Sequence, residues 1–284
     1  MYQNVRISAG WLALFLLFFA LPAQSQEEDW DTYTAAYKKG LSSVMVDLSL
    51  HKTAPLRGLN YVAAIGVMCK DCNSDGMPTQ AELEKCYVIS DTLKAKLDKL
   101  VRNRMVGTFT YRCDRLDYFY VQDTTRIRER MTTLFKVYFP TYKPYIIIRE
   151  DRLWNAYKDI LYPNEENAER MENQKVIMKL VQGGDNLTIE RPVIHQVDFV
   201  TEKDRSCFIA YASANGYALE TSVKRIENEL LYKLKMIRSD LVDLESITRI
   251  TLTLNREIKK CKGIYEGWEA PVVKTPVFPA PKQP

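Results

Sequence analysis

The apolar run Trp11-Leu-Ala-Leu-Phe-Leu-Leu-Phe-Phe-Ala-Leu-Pro-Ala23 constrains this chain most, because it decides the compartment in which everything after it folds. Arg6 is the only charge ahead of it, and acidic Gln26-Glu-Glu-Asp29 follows. The run is shorter than the ~20 apolar residues a bilayer-spanning helix needs. Ala23 and Ser25 are the small residues three and one before a cleavage point. This is the pattern of a secretory signal peptide at 1–25, with a retained membrane anchor as the rival reading. No Cys follows the run, which argues against a lipid anchor there. The expected mature chain begins at Gln26, and its cysteines fold where disulfides persist.

Beyond the leader, no segment is long and apolar enough to cross a membrane. The formal charge of +4 is a slight excess, with acids and bases interspersed. Nucleic-acid binders concentrate Lys and Arg on one face, so a nucleic-acid partner is not expected. Membrane attachment is not expected after cleavage. The closing residues 274–284 carry proline at short intervals and read as an extended tail.

Hydrophobic periodicity divides the remainder into two α+β units. In the first, strands are expected at Ser43–Leu50, Tyr61–Val67, Met105–Arg112, Leu116–Val121 and Tyr145–Arg149. Helices fall at Thr79–Leu100 and Thr124–Tyr138, where Leu83, Cys86, Ile89, Leu93, Leu97 and Leu100 recur at helical spacing. The polar stretch Pro163–Arg170 marks the boundary between 26–163 and 164–273. A helix from Asn164 then stops at Gly183-Gly184. The second unit orders as strand, helix, two strands, helix, strand (βαββαβ), the ferredoxin-like sequence of elements. Its strand from Leu230 alternates Leu230, Tyr232, Leu234 and Met236 with polar neighbours, so one of its faces is buried.

Spaced motifs in the second half resemble the RraB family, regulators of ribonuclease E activity. These are Gly184-Asp185-Asn-Leu187, Arg191-Pro192-Val-Ile-His195, Phe199, Asn215-Gly216-Tyr217 and Gly263-Ile-Tyr265-Glu-Gly267-Trp268-Glu269. The first half resembles a bacterial family known only as domain of unknown function 695, through Asp75-Gly76-Met-Pro78, Tyr111–Tyr120 and Trp154-Asn-Ala-Tyr157. The RraB resemblance implies a ferredoxin-like unit that binds a protein partner and does not catalyse. Its characterised partner is a cytoplasmic ribonuclease, which an exported bacterial protein, periplasmic or extracellular, would not meet. The partner is therefore expected to be another protein.

Candidate chemistry is sparse. Asp71, Asn73, Asp75, Gly76 and Glu82 match the spacing of a calcium loop, so Ca²⁺ is the one candidate cofactor. Against calcium, a strand and not a helix precedes the loop. Pro78 lacks an N–H, and Thr79 with Glu82 forms a capping box for the following helix. Cys69-Lys-Asp-Cys72 is a CxxC, but a redox pair normally opens a helix and a zinc site wants a second close pair. Structural disulfides joining Cys69 or Cys72 to Cys113 or Cys86 are favoured, with buried thiols as the next reading. Cys207 and Cys261 lie on the two helices of the ferredoxin-like unit and are candidates for a bridge. His195, without a second His or Cys beside it, reads as a structural residue, and Trp268 as packing at the closing strand. Asn186-Leu-Thr188 is a glycosylation acceptor only in a eukaryotic secretory route. No phosphate loop, HExxH or GxSxG is present, so an enzyme ranks third, behind a binding module and a small-ligand or calcium domain.

Overall fold

A computed structural model describes residues 27–37, 40–226 and 229–275. The signal-peptide reading, and the tail beyond 275, lie outside the described residues. The first unit comprises β1 (Trp30–Tyr37), β2 (Gly40–Asp47), β3 (Tyr61–Met68), α1 (Gln80–Asp98), β4 (Asn103–Tyr111), β5 (Asp114–Val121), α2 (Ile127–Tyr138) and β6 (Lys143–Glu150). A π-helical turn, Ala156–Leu161, follows. The six strands lie in the order β1-β2-β4-β5-β3-β6, every adjacent pair antiparallel. From β3 onward this is a second ferredoxin-like arrangement, with the β1–β2 hairpin added beside β4.

β3 is buried on both faces from Val62 to Val67, which is why its sequence is an unbroken apolar run. Ala63, Ile65 and Val67 face α1 and α2, where they meet Leu93, Leu97, Ile127 and Met131. Val62 and Ala64 face the other way, into Tyr118, Tyr120, Trp154, Tyr157 and Leu161. Trp154 is fully buried, stacks on Tyr120 at 3.9 Å and donates from Nε1 to the Leu59 carbonyl at 2.8 Å. Tyr157 Oη donates to the Asp47 carbonyl at 2.8 Å, and Tyr33 Oη to the Leu161 carbonyl at 3.0 Å. The segment after β6 is thus a lid on the back of the sheet.

β4 and β5 join through Arg112 and Cys113, both at positive φ (51° and 68°), the conformation of a type I′ hairpin turn. The turn therefore lies at 112–113, and β5 begins at Asp114, two residues before the Leu116 expected from sequence. β1 was not among the expected strands either, and β2 begins at Gly40 and gives way to a 3₁₀ turn, Leu48–Lys52.

The second unit holds α3 (Glu165–Gln182), β7 (Arg191–Phe199), α4 (Glu202–Ala214), β8 (Ala218–Ile226), β9 (Glu229–Asp240), α5 (Leu244–Lys260) and β10 (Ile264–Glu269). Its strand order β10-β7-β9-β8 is the ferredoxin-like one. Val197, Phe199, Leu234 and Met236 pack against Phe208, Ala212, Leu254 and Ile258 of α4 and α5. The opposite face is mixed: Gln196, Glu220 and Ser222 are exposed, Lys233 and Lys235 pair with Asp198 and Glu220, and half-buried Ile194 and Ile237 and exposed Ile264 lie among them. Asn164 caps α3, accepting from the Asn167 amide at 2.8 Å. α3 also joins the two units: Arg170 binds Glu245 of α5, and Lys175 reaches Asp31 of β1 at 3.1 Å.

Candidate functional site

Two regions hold the residues that the sequence singles out. The first is the loop ahead of α1. Asp71 Oδ2 accepts from Thr79 Oγ1 at 2.9 Å, and Asp75 Oδ1 accepts from the Met77 amide at 2.9 Å. Asn73 closes the loop through its backbone, donating to the Met77 carbonyl and accepting from Gly76. Glu82 turns away from the loop: its side chain is fully buried and Oε1 accepts from the Lys70 amide at 2.8 Å. The capping box is therefore half formed, since Thr79 Oγ1 accepts from the Glu82 amide but Glu82 does not reciprocate. Asp71, Asp75 and Glu82 do not converge. Among the described residues, three Cys, His or carboxylate ligand atoms come within 4.8 Å of one another only at Cys69, Glu82 and Cys86.

Cys72 is bonded to Cys113, tying this loop to the β4–β5 turn. The turn also donates from the Cys113 amide to the Gly76 carbonyl at 2.8 Å. Gly76 itself has φ +83°, and a Cβ there would meet Arg112 Cα at 3.1 Å. Cys69 and Cys86 remain thiols and are buried.

Beside the loop lies a groove of about 380 Å³. Thr32, Thr34, Ser43 and Thr110 contribute hydroxyls, while Leu83 and Tyr87 of α1 form a wall. Arg115 lines it too, donating to Thr110 Oγ1 at 3.1 Å and lying 5.2 Å from the Tyr87 ring. Its buried Nε has no hydrogen-bond partner among the described residues. Nearby, burial raises the Asp117 carboxyl above its ordinary range despite a 2.8 Å bond from Thr108 Oγ1. Arg115 and Asp117 were not picked out from sequence. For Asp117 the signal was available, since it is a charged residue directly ahead of the apolar run Tyr118–Val121, all of which is buried.

The second region holds the landmark residues of the C-terminal unit, and there they serve one another. Asp185 and Arg191 form an ion pair with both side chains closed off from solvent, and Asp185 also accepts from the Val273 amide at 2.8 Å. Arg191 further donates to the Ile189 carbonyl at 2.8 Å. His195 is fully buried, with Nδ1 2.7 Å from Tyr265 Oη. Burial, and then the charge of Arg238, lower its pKa to about 3, so the ring stays neutral. Trp268 Nε1 donates to Asn173 Oδ1 at 2.7 Å, and Asn173 in turn donates to Thr251 Oγ1 at 2.9 Å. Asn173 was missed, yet it stands at i with Ile177 and Leu180 at i+4 and i+7, a polar residue in an apolar stripe. Gly216 (φ +78°) ends α4, and Gly267 (φ +119°) sits at the irregularity in β10. Pro192 is exposed on the sheet. Cys207 of α4 is bonded to Cys261, which caps α5, with Cα atoms 5.8 Å apart.

The chain is thus a pair of ferredoxin-like α+β units, joined through α3. Residues 170–270 match the family model Regulator of ribonuclease activity B (RraB), and residues 28–162 match Family of unknown function (DUF695). Comparison with curated proteins gives no match. Among solved structures, an unknown protein from Galdieria sulphuraria aligns over 75% of this chain and 98% of its own, at 10% identity and a TM-score of 0.23.

Proposed function

We propose that this chain is an exported, non-catalytic binding module whose RraB-matching unit engages a protein partner other than a cytoplasmic ribonuclease. The observation that carries this reading is the fate of the polar landmarks. Asp185, Arg191, His195 and Trp268 are committed to pairs inside the fold, and the C-terminal sheet offers solvent a face that sets charges of both signs beside Ile194, Ile237 and Ile264. Mixed sign suits a protein surface better than a nucleic-acid backbone. Export is supported by the leader-like residues 1–25 and by two disulfides, which persist in oxidising compartments. No helix among the described residues is long and apolar enough to cross a membrane. The functional boundaries in this reading are 26–163 and 164–273, followed by a tail.

The test is to express the chain from its own leader, fractionate the cells and isolate the tagged protein under mild crosslinking. The expected result is a mature N-terminus at Gln26 and a stoichiometric protein partner. Exchanging the pair, Glu220→Lys with Lys235→Glu, keeps its attraction but inverts the pattern of the face. That variant loses the partner at unchanged melting temperature. A cytoplasmic chain bound to ribonuclease, or a complex indifferent to the exchange, overturns the proposal.

A second reading is favoured by Arg115, whose incompletely partnered guanidinium in a hydroxyl-lined groove suits a small carboxylate-bearing ligand. Such a ligand raises the melting temperature of the chain but not of Arg115→Gln. In the calcium form of this reading, Ca²⁺ must displace the bonds that Asp71, Asp75 and Glu82 already make. A rise in melting temperature with Ca²⁺ over EDTA supports it, and no rise removes it.

A further inference from the structure

We propose that Cys69 and Cys86 are a buried dithiol that closes to a third disulfide, stapling the end of β3 to α1. Their sulfur atoms are 3.6 Å apart, in contact but unbonded. Cys69 is 6% exposed and Cys86 1%. Both lie in the apolar cluster against which Cys72 and Cys113 pack, and the Cys69 amide donates to the Cys113 carbonyl at 2.7 Å. All four cysteines of the N-terminal unit are thus gathered at one end of the sheet, two bonded and two in contact.

The alternative for two adjacent thiols is a metal, and the surroundings disfavour it. Among the described residues Glu82 is the one further Cys, His or carboxylate ligand within reach, so the cluster offers three donors where a closed structural zinc site takes four. The Glu82 carboxylate is already engaged by the Lys70 amide and by Lys85 at 3.4 Å. Closing the bridge asks for less, a small rotation of two side chains whose sulfurs already touch.

The thiols are not equivalent. Donation to the Cys86 sulfur, and then burial, raise the Cys69 thiol, whereas accepting that bond lowers Cys86. The oxidant is a disulfide, of a protein oxidant or of oxidised glutathione, met while the unit folds and before α1 covers the pair. The thiolate of one cysteine of the pair attacks one sulfur of that disulfide and expels the other as a thiolate. The thiolate of the other then attacks the cysteine sulfur of the mixed disulfide and expels the second. Two cysteine thiols lose two protons and two electrons, and one disulfide becomes two thiols.

The experiment uses residues 26–284, fully reduced and unfolded, then refolded in a glutathione redox buffer. The product is unfolded again in maleimide without reductant, digested with trypsin and mapped by mass. The expected result is that Gly58–Lys70 and Cys86–Lys94 appear as one joined species that separates on reduction. Cys86→Ala should leave Cys69 as a maleimide-reactive position. Maleimide on both Cys69 and Cys86, while Cys72–Cys113 and Cys207–Cys261 have formed, overturns the proposal. So does a tightly held metal ion released together with both thiols. The chemistry is read in vitro, so this outcome is independent of whether the cell exports the chain.

Discussion

The two units share a four-strand ferredoxin-like order, to which the first adds the β1–β2 hairpin, but they bury their sheets differently. In the N-terminal unit, helices cover one face and the Trp154–Leu161 segment covers the other, so β3 is buried from Val62 to Val67. In the C-terminal unit, α4 and α5 cover one face, and the other meets solvent through Gln196, Glu220 and Ser222. The same topology thus yields a three-layer body in one half and a two-layer body with a presented surface in the other. The difference is written in the strands. A doubly buried strand tolerates apolar residues at every position, whereas β9 must alternate. Topology does not distinguish the two halves; the layer count does.

Removing the extra layer should have the largest effect. Trp154→Ala deletes a fully buried indole together with its stack on Tyr120, and a loss of about 3–5 kcal/mol is expected in denaturant unfolding of the N-terminal unit. A loss below ~1 kcal/mol would mean that the lid is not part of that core. Arg191→Met in the C-terminal unit leaves Asp185 buried without its partner, at a cost of the same order, about 3–5 kcal/mol. The double variant Arg191→Met with Asp185→Leu should recover most of that loss. If it does not, the pair contributes more than the relief of an unpaired charge.

Proton linkage gives a smaller and graded effect. His195 is held at about 3 against an ordinary 6.5, so the unfolded chain takes up a proton that the folded chain refuses. Its contribution is complete above about pH 6.5 and declines as pH falls toward 3, by at most ~1.4 kcal/mol per unit. Urea titrations at pH 7 and pH 5.5 on the chain and on His195→Gln isolate this slope, because the variant lacks it. Equal slopes would place a charged or solvated His195 in the folded state. The smallest effect belongs to the presented face, where Lys235→Gln should shift stability by less than ~0.5 kcal/mol. A large loss there would show that this face is covered after all.

Much of the architecture was legible because burial repeats with a regular period. The helical stripe of α1 and the alternation of β9 both located their elements. β1 was not legible: among its described side chains Tyr33 alone is buried, so an edge strand built from Thr and Ala gives almost no alternation. The lid was not legible either, since Trp154 acts through a stack and a long-range hydrogen bond that no local pattern encodes. In the loop ahead of α1, the calcium-like spacing was visible but the direction of Glu82 was not. That direction is set by the Lys70 amide, which lies outside the motif. The cysteines offered several pairings, and the turn at Arg112-Cys113, which swings Cys113 toward Cys72, decides among them.

The Cys207–Cys261 bond has one more consequence, which concerns damage to the chain. It spans 54 positions and encloses the end of α4, β8, β9 and all of α5. A protease cut anywhere inside that span separates no mass: the two pieces stay covalently joined, and the nicked molecule runs at full size until reductant is added. Wear in this half of the protein would therefore accumulate unseen on a non-reducing gel, and the same gel run with reductant would display its whole history.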